Sequence, residues 1–486
     1  MQAHAVTAAA RHPEPATDMW ARMALSSTTA DAPAEAIRSP GLKMVLSLLD
    51  EGVLLGGNGR PRGTRAVPSA GAVYPYEFAA IVMEDGHPSA FRIDGDRRHC
   101  TRLASGARVS ACLTSSGLSL PPDGGAVVVT LIRPWLSMRK YGDRGYLYAQ
   151  LDAGHAVGNL LFASAGRGAP GVLRSRFPRS PLTELLEATE SFREVHSAVV
   201  LDRVAPRSFE PAWTMHDGTG RAHREAAWQS WLERACWESL AARPVRPDAL
   251  GTAGMPGPLV GLLPQARLHR EGAGLGEPGS WPGLLAARTS SKAFVGTPVP
   301  ADDIWQAVSA LTTPVVTDLP DTSSLAATLV IRSAAEAEQN AVHPLTREGR
   351  GTGRLPSGEE MAKACMRQRT LTEAAAVVLM HAPRAALESV SAEEPDVKTG
   401  TETGTETGNL GELALRCGVL GQMLYLGATR AGIGVTGIGG FDAAMWRSLA
   451  GLPENDEILY VLLLGTPDDS GIKLDRLGAA IAQNEQ

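Results

Sequence analysis

The segment that runs from Arg288 through Ser290 to Lys292 has a basic or hydroxyl side chain at every second position. In an extended backbone alternate side chains point the same way, so these three could face one ligand. Charge-assisted hydrogen bonds from such a set suit a phosphate group. The segment therefore predicts a phosphate clamp, and the competing interpretation is a solvated loop in front of a helix.

Two segments of small residues could bring backbone close to a flat ligand. The first is a stiff turn between two prolines, and it contains Pro68, Ser69, Ala70 and Gly71. The second is a glycine run that includes Gly439 and Gly440. Because glycine has no side chain, its amide groups can reach a ring system directly. The competing interpretation for each segment is an ordinary turn or loop.

The adjacent pair Lys140-Tyr141 could remove a proton from a substrate. A lysine withdrawn from water can act as a general base near neutral pH, and the tyrosine could orient or relay that proton. Taken alone, the pair fits a solvated lysine beside a packing tyrosine better. Farther along, Asp152, His155 and Asn159 share one side of a predicted helix. We expect His155 to be a buried packing or interface histidine, because no second histidine lies at metal-ligand spacing.

The elements that must position these residues occur in the same order twice. Strand-like runs, a long apolar helix and a final apolar strand occupy residues 41–205, and a similar series occupies residues 286–486. Self-similarity over roughly 200 residues predicts duplication of a whole domain rather than a short-period repeat. Residues 1–40 form an N-terminal arm in this interpretation, and 206–285 a helical, Gly/Pro-rich connector. The predicted fold is α+β, with mostly antiparallel sheets flanked by helices and two copies packed through long central helices.

Composition excludes several functional classes. The 486 residues carry a net charge of −6 and no concentrated basic face, so a nucleic-acid backbone binder is not expected. The five cysteines are scattered without a CxxC pair, which predicts reduced thiols and no metal site. The sequence has no signal-like N-terminal segment and no apolar run long enough for a membrane span. We expect a cytoplasmic protein.

The clamp and the glycine run together resemble the two ends of an FMN-binding domain of the nitroreductase-like superfamily. The resemblance implies that RTSSKAF grips the FMN phosphate and ribityl chain, and that GIGGFD lies against the isoalloxazine ring. It also implies a ribityl contact near Arg367 and a basic tail at Lys473 and Arg476. Members are usually homodimers in which a Pro-Ser segment comes from the partner subunit.

In this chain the Pro-Ser segment lies in the first half and the clamp in the second. The complementary positions are degenerate, since the first half has only Arg38-Ser39 and Lys43 where a clamp would be. The resemblance therefore implies an intramolecular pseudo-dimer with one working FMN site and one lost site. Whether this pseudo-dimer is monomeric or forms a homodimer stays open.

The stretch RKYGDRGYLYAQLDAGH at 139–155, with PSAGAVYPYE at 68–77, resembles the SagB-type dehydrogenases. These enzymes oxidise azolines in thiazole/oxazole-modified peptides. Within the group, the chain resembles the long thiopeptide-type dehydrogenases. The resemblance implies that Lys140 and Tyr141 are catalytic and that dioxygen reoxidises the reduced flavin. It further implies a ribosomally made precursor peptide as substrate and a YcaO-type cyclodehydratase as partner.

Two other functions are compatible with the sequence. One is an NAD(P)H-dependent nitro- or quinone reductase that acts on small molecules. The other is a flavin-free scaffold that docks a peptide-modifying complex. Reduction by NAD(P)H without azoline turnover would favour the first, and a colourless purified protein the second.

Overall fold

The computed structural model describes eleven parts of the chain. They are residues 36–54, 65–95, 98–188, 193–208, 212–217, 257–262, 268, 273–319, 324–346, 353–388 and 410–468. Within these residues no helix is both long and apolar enough to cross a membrane. Residues 1–35 of the predicted arm at 1–40, most of the connector, and both tail residues Lys473 and Arg476 lie outside the described residues.

The first half begins with a helix whose N-terminus has residues that favour the start of a helix. Ser39 accepts a hydrogen bond from the Leu42 backbone N–H and caps the helix, and Pro40 occupies its first position. The strands are β1 (Tyr76–Glu84), β2 (His87–Asp94), β3 (His99–Ser105), β4 (Ala126–Ile132), β5 (Val172–Arg174), β6 (Glu194–Leu201) and β7 (Thr214–Asp217). The helices are α1 (Pro40–Leu49), α2 (Ala107–Ser115), α3 (Pro134–Tyr141), α4 (Arg144–Ala165) and α5 (Ser180–Leu185).

The second half has a similar series of elements. Its strands are β8 (Phe294–Val295), β9 (Val316–Thr317), β10 (Ala326–Ile331), β11 (Ala341–Pro344), β12 (Ala376–Pro383), β13 (Gly434–Ile438) and β14 (Asp456–Pro467). Its helices are α6 (Trp281–Ala287), α7 (Ala301–Ser309), α8 (Gly358–Ala364), α9 (Arg384–Glu388), α10 (Leu410–Ala431) and α11 (Ala443–Ala450). The mixed α+β class predicted from the sequence is confirmed.

The two sheets share a strand order. The first sheet has the order β7-β3-β2-β1-β4-β6-β5-β9, and the second has β11-β10-β12-β14-β13. Five neighbouring strands of the first sheet, β2-β1-β4-β6-β5, therefore correspond to the whole second path, and all of these pairs are antiparallel. Strand β9 of the second half joins the edge of the first sheet in parallel, so the halves also share one sheet.

Each sheet is buried on both faces, which explains why its strands are apolar almost throughout. Val128 of β4 and Val378 of β12 face a central cluster that includes the long helices α4 and α10. Their neighbours Val127 and Val377 face separate outer clusters, one under α2 and α5 and one under α8 and α11. The long helices thus lie between the two sheets.

Helices α4 and α10 cross where each has a glycine. A Cβ added to Gly154 would lie 2.7 Å from the Leu415 carbonyl oxygen, and one added to Gly418 would lie 2.4 Å from the Leu151 carbonyl oxygen. The two contacts mirror each other, because Leu151 to Leu415 and Gly154 to Gly418 span the same number of residues. Reciprocal contacts of this kind are typical of a two-fold interface.

Candidate functional site

One cavity of about 520 Å³ lies between the halves. Its volume is within the range of small-molecule and cofactor sites. Residues from both halves line it. They are Pro68, Ser69, Ala70, Gly71, Tyr141, Tyr148, Leu151, Asp152, His155, Ser290, Ser291, Lys292, Gln368, Thr370, Leu371, Tyr425, Thr436, Gly437, Ile438, Gly439, Gly440 and Tyr460.

The predicted clamp follows helix α6 as an extended loop. Ser290 and Lys292 line the cavity, and so does Ser291, which strict alternation would turn away. The Ser291 backbone N–H donates to the Val435 carbonyl at 2.9 Å and ties the loop to β13. The loop therefore presents two hydroxyl groups and one ammonium group to the same cavity.

Arg288 lies behind this loop and does not line the cavity. It is 4% exposed, and its Nη1 lies 3.1 Å from the Ser290 Oγ while its Nε donates to the Ala66 carbonyl at 2.6 Å. Its guanidinium carbon is 5.3 Å from the centre of the Tyr425 ring. In this arrangement Arg288 supports Ser290 and adds positive charge to that end of the cavity.

The glycine run forms a wall made of backbone. A Cβ at Gly437 would lie 2.2 Å from the Tyr460 Oη, and one at Gly439 would lie 2.8 Å from the Tyr148 ring. Tyrosines therefore fill the space behind both glycines. Tyr148 donates its hydroxyl to the Gly439 carbonyl, and the Gly437 N–H donates to the Tyr425 Oη at 2.8 Å. Because Tyr148 belongs to the first half, it fixes the glycine run across the boundary between halves.

The Pro68–Gly71 turn of the first half lines the same cavity. Gly71 has a φ of +61°, a conformation that glycine adopts without the strain other residues incur. A Cβ at this position would lie 2.3 Å from the Tyr141 Oη and 2.4 Å from the Lys140 Nζ. The turn and the Lys-Tyr pair, which are distant in sequence, are therefore in contact.

Lys140 and Tyr141 are the last two residues of helix α3. The exposed Lys140 donates its ammonium group to the Gly71 carbonyl at 3.3 Å. Tyr141 lines the cavity, and its ring packs edge-on against Tyr148 with centroids 5.1 Å apart. Burial, followed by the charges of Asp152 and Tyr148, raises the pKa of Tyr141 to about 12. The Tyr141 hydroxyl is therefore protonated at neutral pH and able to donate a hydrogen bond.

Two buried titratable groups line the cavity although they were not predicted as site residues. Burial raises the pKa of Asp152 to about 7, against the opposing effect of hydrogen bonds from Ser69 and Ala70. Burial lowers the pKa of His155 to about 3, so this imidazole is neutral. Its ring nitrogens lie 3.0 Å from the Gln422 Oε1 and 2.9 Å from the Tyr460 Oη, which joins α4 to α10 and β14. The expectation of a buried interface histidine is confirmed.

Arg367 lies beside the cavity but is not among the residues that line it. Its backbone is left-handed, with a φ of +59°, and its side chain is exposed. The neighbouring Gln368 does line the cavity and donates its amide to the Gly440 carbonyl at 3.0 Å. Among the described residues no group of three or more His, Cys, Asp or Glu side chains could hold a metal ion.

The lining residues fit FMN. Lys292 and the two serines offer donors for a phosphate at one end, with the Arg288 charge behind them. Gly437 and Gly439 let the backbone of the glycine run pack directly against Tyr460 and Tyr148, so that part of the cavity wall is backbone. The Pro68–Gly71 turn lines the same cavity and offers a further surface for a planar ring.

The chain is similar to nitroreductases in three comparisons. Residues 285–466 match the nitroreductase family. MJ1384 of Methanocaldococcus jannaschii, a protein named as a nitroreductase, is 27% identical over 138 residues, which cover 26% of this chain and 67% of that protein. A crystal structure of a protein described as a nitroreductase from Anabaena variabilis aligns with a TM-score of 0.57 at 16% identity, over 93% of this chain and 97% of that one. The chain therefore shares that fold almost throughout.

A further match is to the E. coli microcin synthetase McbBCD complex with truncated pro-MccB17 bound. It aligns with a TM-score of 0.29 at 15% identity, over 40% of this chain and 83% of that one.

Proposed function

We propose that this protein is an FMN-dependent dehydrogenase that oxidises thiazoline or oxazoline rings of a ribosomally made peptide to thiazoles or oxazoles. One observation carries the proposal. Tyr141 and the turn that holds Lys140 border the same cavity as the Lys292 loop and the glycine run. A candidate acid–base pair thus stands beside a candidate cofactor cradle, and residues 139–155 resemble azoline dehydrogenases of the SagB type.

FMN, when bound, supplies a hydride acceptor for the oxidation. We assign its phosphate to Ser290 and Lys292 with Arg288 in support, and its ring to Gly439 and Gly440. The turn residues Pro68, Ser69, Ala70 and Gly71 would cover the other face. Arg367 next to Gln368, and the tail residues Lys473 and Arg476, remain proposed contacts to the ribityl chain and phosphate.

Lys140 is the proposed base. Oxidation of an azoline removes one proton and one hydride equivalent from adjacent ring carbons. The Gly71 carbonyl holds the Lys140 Nζ beside the cavity, where a neutral amine could accept the Cα proton. Tyr141 stays protonated and can orient the ring or the lysine by donating a hydrogen bond.

The two halves are proposed to be diverged copies of one nitroreductase-like domain, 41–205 and 286–486, that share a single FMN. The common strand order and the reciprocal glycine contacts support this interpretation. The residue spacing that relates Gly154 to Gly418 also relates Asp152 to Arg416. Arg416 is 2% exposed and donates to the Leu259 carbonyl at 2.9 Å. The chain itself therefore fills the position that mirrors the working site.

The proposed chemistry implies a partner. Azolines arise by cyclodehydration of cysteine, serine or threonine residues, so we propose a YcaO-type cyclodehydratase that acts immediately before this protein. The pseudo-dimer could work as a monomer or pair again as a homodimer.

Mass spectrometry of an azoline-containing peptide incubated with the purified, FMN-loaded protein tests this function. We expect the loss of two hydrogen atoms per ring, and no loss with Lys140→Ala although that variant retains FMN. Rapid oxidation of NAD(P)H with a nitro compound or quinone, without any change in the peptide, would instead identify a small-molecule reductase. A protein that binds no FMN would be a scaffold.

A further inference from the structure

Asp152 is a buried carboxylate compensated by hydrogen bonds from one turn. Its carboxylate accepts the Ser69 hydroxyl at 2.5 Å, and both of its oxygens lie 3.2 Å from the Ala70 backbone nitrogen. The residue is 4% exposed. No ion pair among the described residues includes it. A buried charge of this kind depends strongly on the few donors it has.

The turn that supplies those donors has an unusual backbone. Gly71, Ala72 and Tyr74 all have positive φ angles, of +61°, +56° and +48°. Positive φ at a non-glycine residue is strained and persists only when surrounding contacts enforce it. Ser69 provides two such contacts, since its Oγ accepts the Tyr74 backbone N–H at 2.8 Å while it donates to Asp152.

The turn in turn positions the Lys-Tyr pair. The Gly71 carbonyl accepts the Lys140 ammonium, and the Tyr141 hydroxyl lies against the same glycine. A shift of the turn by about 1 Å would either break both contacts or cause a steric clash at both, because the atoms are already closely packed.

We propose that Asp152 is a positioning residue: through Ser69 and Ala70 it holds the turn that fixes Lys140 and Tyr141 at the cavity. That this position of Lys140 and Tyr141 serves catalysis rests on the proposed function. That Asp152 holds them in this position does not depend on it. Asp152 acts through its neighbours and needs no contact with substrate.

The ionisation of Asp152 makes this placement depend on pH. Burial raises the pKa of Asp152 to about 7. Four titratable groups around it are neutral in this range: Tyr141 from α3, Tyr76 from β1 and Tyr460 from β14 have raised pKa values, and His155 on α4 has a lowered one. The ammonium group of Lys140, from α3, contacts the same turn at Gly71. Above pH 7 the carboxylate accepts charge-assisted hydrogen bonds from the turn, and below pH 7 these bonds weaken.

The chemical reactivity of Lys140 reports its placement without requiring turnover. The full chain is acetylated with a limiting amount of an N-hydroxysuccinimide ester, and the rate at Lys140 is divided by the rate at the exposed Lys43. Both rates are measured by peptide mass spectrometry, and taking their ratio cancels most of the intrinsic effect of pH on the acetylation rate of a lysine. We expect Asp152→Ala and Ser69→Ala each to raise the ratio by about threefold to tenfold, as loss of one ordinary hydrogen bond implies.

Asp152→Asn is the conservative variant, because its amide oxygen can still accept from Ser69 and Ala70. Because this amide carries no charge, the ratio should lie near the value that the wild type reaches at pH 6, below that of Asp152→Ala, and should not change between pH 8 and pH 6. In the wild-type protein the ratio should rise over that interval. A flat wild-type profile would contradict the proposal.

Asp318→Ala is the matched control. Asp318 is also a buried carboxylate that accepts from a serine hydroxyl and two backbone N–H groups, at Ser175 and Arg176, but it does not line the cavity. We expect no change in the Lys140 ratio. An equal rise in Asp318→Ala, or no rise in either turn variant, would overturn the positioning role. A correct pattern of ratios in a protein that oxidises no azoline would leave that role standing and remove only the proposed function.

Discussion

Gly418→Ala tests how closely the two central helices approach. The added Cβ would lie 2.4 Å from the Leu151 carbonyl oxygen and 2.7 Å from the Gly154 Cα. Both are backbone atoms, so no side chain can rotate away. An ordinary contact begins near 3.4 Å, and the helices must therefore separate by about 1 Å at the crossing, in a core that is packed without spare volume.

The magnitude follows from two opposing effects. Overpacking a core costs about 1–3 kcal/mol, while alanine in a helix is favoured over glycine by up to about 1 kcal/mol. We expect Gly418→Ala to lower the free energy of unfolding by about 1–2 kcal/mol. Gly158→Ala should be close to neutral, because its Cβ would meet side chains and no backbone atom, Gln422 at 3.3 Å and Phe162 at 3.6 Å. The measurement is the midpoint of urea unfolding followed by circular dichroism.

Gly283→Ala on helix α6 is the matched control. Nothing lies within 4 Å of its added Cβ, so only helix propensity should act, and stability should rise slightly. FMN affinity should fall in Gly418→Ala alone, because α4 and α10 carry Asp152 and Tyr425 in the cavity wall. If Gly418→Ala were as stable as Gly283→Ala, the close crossing of the helices would be refuted.

Three further predictions concern single side chains. Lys140→Gln should reduce azoline oxidation by about 10²–10⁴-fold while FMN stays bound, as measured by peptide mass spectrometry and flavin absorbance; unchanged turnover would exclude Lys140 as the base. Tyr148→Phe removes the hydroxyl that holds the Gly439 carbonyl and should weaken FMN binding by about 1 kcal/mol, roughly fivefold, in a calorimetric titration; wild-type affinity would contradict the role of this bond. Burial lowers the pKa of His155 to about 3, whereas the imidazole of the unfolded chain has a pKa of about 6.5. As pH falls below about 6.5, the unfolded chain therefore binds a proton at His155 that the folded chain does not bind. The wild type should therefore lose stability relative to His155→Gln in urea unfolding between pH 7 and pH 4, and parallel profiles would show that His155 does not resist protonation.

The sequence predicted much of the site because its chemistry lies in short segments. The Lys292 loop, the glycine run and the Pro68–Gly71 turn each have a local signature, and all three line one cavity. The long helix after Asp143 was also predictable, since its apolar residues continue for many positions. In the structure this helix is α4, Arg144–Ala165.

Other features depend on distant contacts or weak local patterns. Strand β13 has the sequence GVTGI, and its glycines conceal the strand pattern. Helix α3 is only eight residues long, too short for a periodic signal. Asp152 interacts with a turn more than eighty positions earlier, so nothing nearby in the sequence indicates its partners. Tyr425 and Tyr460 lie in apolar stretches, where an aromatic residue is indistinguishable from core.

The shared cavity also depends on how the halves pack. Pairing of β9 with β5, and the crossing at Gly154 and Gly418, bring the halves together. Such contacts between residues far apart in the chain leave no periodic trace in the sequence. The indications in the sequence were the repeated order of elements and the separation of the Pro-Ser segment from the clamp, one in each half.

Titration of FMN into the flavin-free protein, followed by flavin fluorescence, tests most directly whether one cofactor is held by both halves. We expect one FMN per chain. Ser69→Ala in the first half and Lys292→Ala in the second should each weaken FMN binding. The loss should be about tenfold for Lys292→Ala, which removes a charged contact. The control Lys363→Ala, an exposed lysine on α8 that pairs with Glu359, should bind as the wild type does. Two FMN molecules per chain, or an affinity that responds to substitutions in the second half alone, would contradict a site shared between the halves.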